Sequence, residues 1–501
     1  MTSPENTIRG LQLFQQAQQL HAARQLAPAA DAFRKALALL PDHPSIIVAY
    51  AALAEDVQDW NAAEKLYRRL VALRPASNFE GKLALCLFRL ERYEDVLPLM
   101  RTHFARHPDD SDVLLPFGLT LAKLKRWQEA LDTGRKLDAL RPDEQSMSLM
   151  LNSLFNLGGK DELDALVDIA ITRYPQSPLV LSLCGAHLLK RGDFKRGFGF
   201  LRAMRWRYES TKPDYATVRA DAWDGKRFDG LLLVDGEQGL GEEILAASMF
   251  GELVRMGQGA LIACERRLLP LFRRSFPTLE FVARGDGDFD RIIASGANYR
   301  RIQSLDLGVF FRRDDAFPVQ RPWLIADAVR GAGLRERYRR DNPGKLLAGI
   351  SWKSRRDFVF GPDKSVALAD LAPLLSLPSH AWFNIQYGDI AADFDDVAAR
   401  GFTPPTTDPA IDPTVDLDGL AAQLLALDVV VSTSNTTAHL AGALGAPCHL
   451  LLPKVRPVLW YWGYDAPTTP WYPSIRIHRN AREDDWQEFA AGVARTLERP
   501  A

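Results

Sequence analysis

The chain has 501 residues, 47% hydrophobic and 25% charged, with 62 basic against 63 acidic side chains. That length suits about three domains, and a net charge of −1 gives no electrostatic ground for a general nucleic-acid or membrane-surface binder. No apolar run reaches the roughly 18 residues of a membrane span, the N-terminus lacks an apolar signal core, and the four cysteines form no metal-type pair. The expectation is a reduced, cytoplasmic protein without a structural metal.

The first half repeats. Pro41, Pro75, Pro108, Pro142 and Pro175 follow one another at 34, 33, 34 and 33 residues. Small residues recur in phase (Ala17, Ala51 and Gly118; Ala29, Ala63 and Ala130), and so does a bulky column at Phe33 and Tyr67. Small residues let paired helices approach, aromatics fill the space between, and proline ends the second helix before the next unit. Val96 and Leu163 take the second small position in degenerate units, and a sixth, partial unit covers about Leu179 to Tyr208. The pattern resembles the tetratricopeptide repeat, a helix–turn–helix of about 34 residues. Such arrays stack into a superhelix with a concave face that holds a partner protein. A rigid spacer or a dimerisation surface is the plainer alternative.

After Lys212–Trp223 the pattern changes to strands alternating with helices, the mark of a parallel doubly wound sheet. Phe228–Val234 reads as a strand and Asp235–Gly241 as a glycine-rich loop. Glu242–Gly257 reads as a helix, Ala260–Cys264 as a strand and Leu268–Phe276 as a helix. The glycines at 236, 239 and 241 do not have dinucleotide spacing. Among Glu237, Glu242 and Glu243, a carboxylate at a cleft-facing helix start suits a general base for an acceptor hydroxyl. The alternative is simple complementation of the helix dipole. A second unit runs through strands Leu346–Trp352, Ala381–Gln386 and Asp428–Val431. It continues with the polar loop Ser432–Thr437, a helix Ala438–Leu444 and a strand Cys448–Leu452. A loop of hydroxyls opening a helix at the carboxyl end of a parallel sheet is built to hold an anion of phosphate type. An ordinary N-capped helix is the alternative. The expected architecture is α followed by α/β. Residues 1–210 form an α-solenoid, 211–340 an N-terminal Rossmann-like half on the acceptor side, and 341–501 a C-terminal Rossmann-like half on the donor side. Together the two halves form a GT-B fold. Trp460, Trp462, Trp471, Tyr461, Tyr464 and Tyr472 form a sugar platform or, more plainly, packing. The last helix, about Asp485–Leu497, is expected to cross back onto the first half.

EQGLGEEI, GISWKS, the strand end at Gln386, STSNTTAHLAGALGAP, LLP and PWYPS occur in this order. In this combination the chain resembles bacterial tetratricopeptide-repeat glycosyltransferase-like proteins. Their catalytic half is similar to heptosyltransferases and their layout to O-GlcNAc transferase. Flagellin glycosyltransferases of some bacteria share the arrangement, which makes flagellin the candidate acceptor. The resemblance implies that Glu242, in the pair Gly241-Glu242, takes the place of a catalytic Asp. It implies that Thr436 and Thr437 grip a donor phosphate with Ser434 and Asn435 beside them. Lys353, assisted by Arg355 or Arg356, matches a phosphate-neutralising lysine in kind. Gly239, Gly241, Trp352, Gln386 and Tyr387 complete the donor-binding set. His439 joins it, with a packed helix histidine as the plainer alternative. Where the related proteins often carry Asp-Thr in the loop, this chain has Ser434-Asn435, which removes a negative charge. The implied activity is metal-independent transfer of a sugar, CMP- or UDP-linked, to a Ser or Thr hydroxyl of a protein held by the repeats. Rival readings are an inactive scaffold, an epimerase or hydrolase of the nucleotide sugar, and transfer to a carbohydrate.

Overall fold

A computed structural model describes residues 3–74, 78–209, 221–237, 239–313, 321–354, 364–453, 459–482 and 485–498. Pro75, Arg355 and Arg356 lie outside the described residues. The chain divides into two compact units, Met1–Tyr174 and Pro175–Ala501.

The first unit is a run of antiparallel helix pairs, beginning with Pro4–Ala22 and Leu26–Leu39, then Pro44–Asp56 and Trp60–Leu73. It ends with Glu144–Leu157 and Lys160–Arg173. The repeating small residues do what their size allows. Ala17, Ala29, Ala51, Ala63 and Ala130 are fully buried where helices touch. A Cβ on Gly118 would stand 2.3 Å from Leu149 Cδ2, so any larger residue at that crossing would have to displace the leucine side chain. Phe33 fills the space between neighbouring pairs and stacks on Tyr50 at 5.6 Å. Val96 and Leu163 occupy the small-residue column in the degenerate units and are themselves buried.

The second unit opens with the hairpin Pro178–Arg191 and Phe194–Glu209, followed by nine parallel strands in two sheets among the described residues. The first sheet has the order β3-β2-β1-β4, with β1 Leu231–Asp235, β2 Ala260–Cys264, β3 Glu280–Ala283 and β4 Tyr299–Gln303. The second has the order β6-β5-β7-β8-β9, with β5 Leu346–Ser351, β6 His380–Asn384, β7 Val429–Thr433, β8 Cys448–Pro453 and β9 Ile475–Asn480. The strands are mostly buried, as parallel strands covered on both faces must be. Each strand of a parallel pair needs a crossover, and helices supply it. The expected helix from Glu242 to Gly257 is two helices, Leu240–Ala247 and Phe250–Met256, with a break at Ser248 and Met249.

One hydrophobic core runs from Phe194 and Phe198 of the hairpin through Ile244 and Phe250 of the first lobe to Leu440, Trp471 and Tyr472 of the second. Phe194 and Phe198 meet the edge of Trp471 at 5.7 and 6.2 Å. Trp460, Trp462, Trp471 and Tyr472 are therefore packing residues in large part. The connecting segment Arg321–Asp327 ties the lobes together. Trp323 N–H donates to Ala443 O at 3.0 Å and its indole to Ile244 O at 3.1 Å. Arg274 and Asp418 form a two-pronged ion pair at 2.6 and 2.8 Å. The last helix, Trp486–Leu497, differs from expectation. Ala490, Val493 and Ala494 pack with Val431, Leu451 and Leu371 in a core confined to the second lobe. Its apolar stripe is matched by the outer face of its own sheet, so it does not return to the first.

All four cysteines are buried, and burial pushes the thiols of Cys86, Cys264 and Cys448 up to about 12. Among the described residues no helix is long and apolar enough to cross a membrane.

His449 on β8 and His478 on β9 share a ring-to-ring hydrogen bond of 2.9 Å. Burial, with Arg476 beside them, pushes both rings down to about 4 from 6.5. The unfolded chain therefore binds more protons between those values. The stabilisation is complete above pH 6.5 and is lost as pH falls towards 4. At pH 5 the loss is on the order of 1–2 kcal/mol, reduced from the bare shift because both rings are partly exposed. The melting temperature should fall by a few degrees between pH 7 and pH 5, and His478→Gln should flatten that slope. An unaltered slope in the variant would remove the pair from the acid response.

Candidate functional site

The carboxyl ends of β5, β6 and β7 are laced together by side-chain amides. Gln386, after β6, accepts from Ser351 Oγ at 2.9 Å, Trp352 N–H at 2.9 Å and Lys353 N–H at 3.0 Å, and donates to Tyr387 O at 2.8 Å. Asn435 caps the helix Thr436–Leu444: its Oδ1 accepts from Thr437 N–H at 3.0 Å and Ala438 N–H at 3.3 Å. Its Nδ2 donates to Ser351 Oγ at 2.8 Å and Lys353 O at 3.3 Å. The loop 432–437 opens a helix as the sequence pattern leads one to expect, but most of its polar groups are turned inward. Ser434 Oγ accepts from the Trp462 indole at 2.8 Å. Thr437 is fully buried, with its hydroxyl on Ile385 O at 3.4 Å. Thr436 is the one residue of 432–437 whose side chain is not buried. Lys353 does not stand alone in a loop. Its ammonium donates to Asp389 O at 2.6 Å and pairs with the Asp393 carboxylate. Trp352 is fully buried in the second-lobe core, and Tyr387 at the rim is half-buried.

In the first lobe, β1 ends at Asp235 and the helix Leu240–Ala247 begins after Gly239, with no side chain among the described residues capping it. Its first-turn N–H groups and dipole are thus turned to whatever faces them. The three carboxylates separate cleanly. Glu237 accepts from Ser304 Oγ at 3.1 Å and Leu305 N–H at 2.9 Å. Glu243 accepts from Glu265 N–H at 2.9 Å and pairs with Arg284. Glu242 is partly exposed in the first turn. Asp235, which sequence reasoning passed over, has its carboxyl pushed up by burial against the pull of Arg301, 3.2 Å away.

The two lobes meet at Gly241 and His439. A Cβ on Gly241 would lie 2.6 Å from His439 Cδ2 and 2.9 Å from Nε2. This close approach is possible only without a side chain, and it sets the turn after β1 against the turn after β7. His439 is 2% exposed. Its Nδ1 shares a 2.6 Å hydrogen bond with the Tyr472 hydroxyl. The ring meets Tyr461 and Trp462 at 4.7 and 5.1 Å. Burial first, and the charge of Lys364 second, push the imidazole down to about 3, so it is neutral at physiological pH. Lys364 is a second residue that sequence reasoning missed, because nothing in the surrounding pattern marks it. Tyr472 was noted only as one aromatic among six. Arg267, just past β2, donates to Thr414 O at 2.6 Å, and Thr414 Oγ1 accepts from Gly388 N–H at 3.0 Å, so a further first-lobe cation sits near the Tyr387 rim. The junction so formed brings Gly241 against His439, with Lys364 near enough for its charge to act on the ring; Glu242 follows Gly241 in the first turn of one helix, and Thr436 lies one turn before His439 in the other. Among the described residues no group of three or more His, Cys, Asp or Glu is placed to hold a metal ion.

Comparison with known proteins adds the following. The family model of the anaphase-promoting complex, cyclosome, subunit 3 matches residues 56–136. Protein FlbA of Caulobacter vibrioides is 27% identical over 495 residues, spanning 93% of this chain and 80% of that protein. Among solved structures, YrrB, a TPR protein with an unusual peptide-binding site, is 18% identical and covers 34% of this chain and 88% of its own, at a TM-score of 0.32. A MamA protein is 15% identical over 35% of this chain and 94% of its own, also at 0.32. With the 33–34-residue period and the paired helices, the family-model match makes the first unit a tetratricopeptide-type repeat array, followed by a region of parallel sheets and helices.

Proposed function

We propose that the second unit is a metal-independent glycosyltransferase of GT-B type, and that the repeats recruit its protein acceptor. The observation that carries this reading is the meeting of two helix starts, one after β1 and one after β7, at Gly241 and His439. Ligands of open α/β sheets bind outside the carboxyl ends of the strands, and here two such ends oppose each other. The donor's phosphate lies at the start of helix Thr436–Leu444, beside the Thr436 hydroxyl, with Lys364 as the nearby cation. Glu242 takes the proton from the acceptor hydroxyl as the new C–O bond forms at the sugar carbon. The bond to the nucleotide's phosphate oxygen breaks, and the helix dipole and Lys364 stabilise the charge left there. Lys353 acts through the loop it tethers to Asp393. The acceptor is a Ser or Thr hydroxyl, and flagellin is the first to test.

The inactive-scaffold reading also has an observation in its favour. Gln386, Asn435, Ser434, Thr437 and Lys353 are all committed to internal partners. Ligand binding separates the two readings.

A panel of CMP, UDP, GDP and ADP should raise the melting temperature for one nucleotide class. At a concentration 100 times its Kd that nucleotide would add about 2.7 kcal/mol. CMP alone would point to a nonulosonic acid donor and a nucleoside diphosphate to a hexose or heptose. No shift with any of the four would favour the scaffold.

Gly241→Ala tests the crevice itself. Ala gains about 1 kcal/mol of helix propensity over Gly, but its methyl meets the His439 ring at 2.6 Å, and overpacking of this kind costs about 1–3 kcal/mol. The variant should be slightly less stable and lose nucleotide binding at least 10-fold. Full binding in a folded variant would place the ligand elsewhere.

A further inference from the structure

His439 and Tyr472 are the most completely enclosed polar pair beside the crevice. Tyr472 is fully buried, and among the described residues its hydroxyl has a single hydrogen bond, to His439 Nδ1. The backbone of Gly442 seats the phenol ring: a Cβ there would stand 2.5 Å from Tyr472 Cδ1. Trp323 stacks on its other side at 5.3 Å. The hydroxyl therefore cannot turn to water. If Nδ1 carried the proton, the phenolic hydrogen would be buried without an acceptor, which costs about 1–3 kcal/mol. If the phenol donates to Nδ1, both groups are satisfied, and the imidazole proton sits on Nε2. One effect opposes this arrangement. Nε2 faces the start of helix Leu240–Ala247, whose dipole favours an acceptor there by about 0.3–1 kcal/mol. The buried hydroxyl is the larger effect, so the Nε2–H form wins. Nε2 has no hydrogen-bond partner among the described residues, and the residue as a whole is 2% exposed.

We propose that Tyr472 is a positioning residue that fixes His439 as the Nε2–H tautomer, making the ring a hydrogen-bond donor to an oxygen of the bound nucleotide-sugar. This rests on the nucleotide-sugar reading of the crevice. Two kinds of donor then meet there, Nε2–H and the N–H groups after Gly239, with the positive charge of Lys364 acting on the ring. An anionic oxygen is the ligand chemistry that answers them. His439 takes no proton from the acceptor, because its only lone pair is already held by Tyr472. That leaves the base role to Glu242.

The test uses the full chain labelled with 15N at histidine, with His439→Gln to assign the signal. In the wild type the expected spectrum has a pyrrole-type nitrogen at Nε2 and a pyridine-type nitrogen at Nδ1, unchanged from pH 5 to pH 8. Tyr472→Phe removes one oxygen and keeps the ring, so its spectrum should show both tautomers. Affinity for whichever of CMP or UDP stabilises the wild type should fall roughly 10- to 150-fold, the effect of losing one oriented hydrogen bond to a charged group. A proton on Nδ1 in the wild type overturns the proposal outright, whatever binds, and so does a Tyr472→Phe spectrum identical to the wild type. A tautomer change with unaltered affinity overturns the ligand role. Binding of neither nucleotide overturns that role together with the nucleotide-sugar reading, while the wild-type spectrum still decides the tautomer.

Discussion

One side-chain amide holds the second lobe's rim in shape. Asn435 makes five hydrogen bonds: to Ser432, Thr437 and Ala438 through its oxygen, and to Ser351 and Lys353 through its nitrogen. It joins the end of β5 to the end of β7 and sets the direction of the helix that carries His439. Each bond to a buried backbone group avoids a desolvation cost of about 1–3 kcal/mol. An aspartate would lose both donor bonds, to Ser351 and Lys353, and would bury a charge. The asparagine is thus internally consistent here. It fits a loop whose neighbours supply one hydroxyl and one carbonyl for it to donate to.

The periodic parts of the architecture were legible in the sequence. Proline spacing and small-residue columns gave the helix pairs, because helix crossing distance depends directly on the residues at the contact. Alternating β-branched runs and helical stretches gave the parallel strands. What escaped is what depends on three-dimensional neighbours. The helix break at Ser248 follows no glycine or proline. The last helix carries a good apolar stripe, but a stripe does not say which sheet will cover it. The site shows the same division. The loop 432–437 was readable as a helix start, but the destinations of its hydroxyls were not. Burial depends on Trp462 and Ile385, which lie far away in sequence. Lys353 looked like a loop cation because Asp393, its partner, stands 40 residues on. Lys364 had no pattern to announce it.

The lobes of the second unit are not two bodies joined by a flexible hinge. Their interiors merge into one apolar cluster that also takes in the hairpin Pro178–Glu209. Trp323 lies across the junction, hydrogen-bonded to a helix of each lobe. Opening them wide would expose Trp471, Tyr472 and their neighbours, each ring carrying about 150–250 Å² of surface. The junction of Gly241 with His439 is accordingly held by the same core.

The four buried thiols have a practical consequence. A cysteine reacts as its thiolate, and in this chain burial holds that form down at Cys86, Cys264 and Cys448 and keeps reagents from all four. The folded protein is therefore a nearly blank background for thiol chemistry. A cysteine introduced at an exposed rim position would be the site that takes a dye, so distances across the crevice can be followed without first stripping the native sulfur from the core.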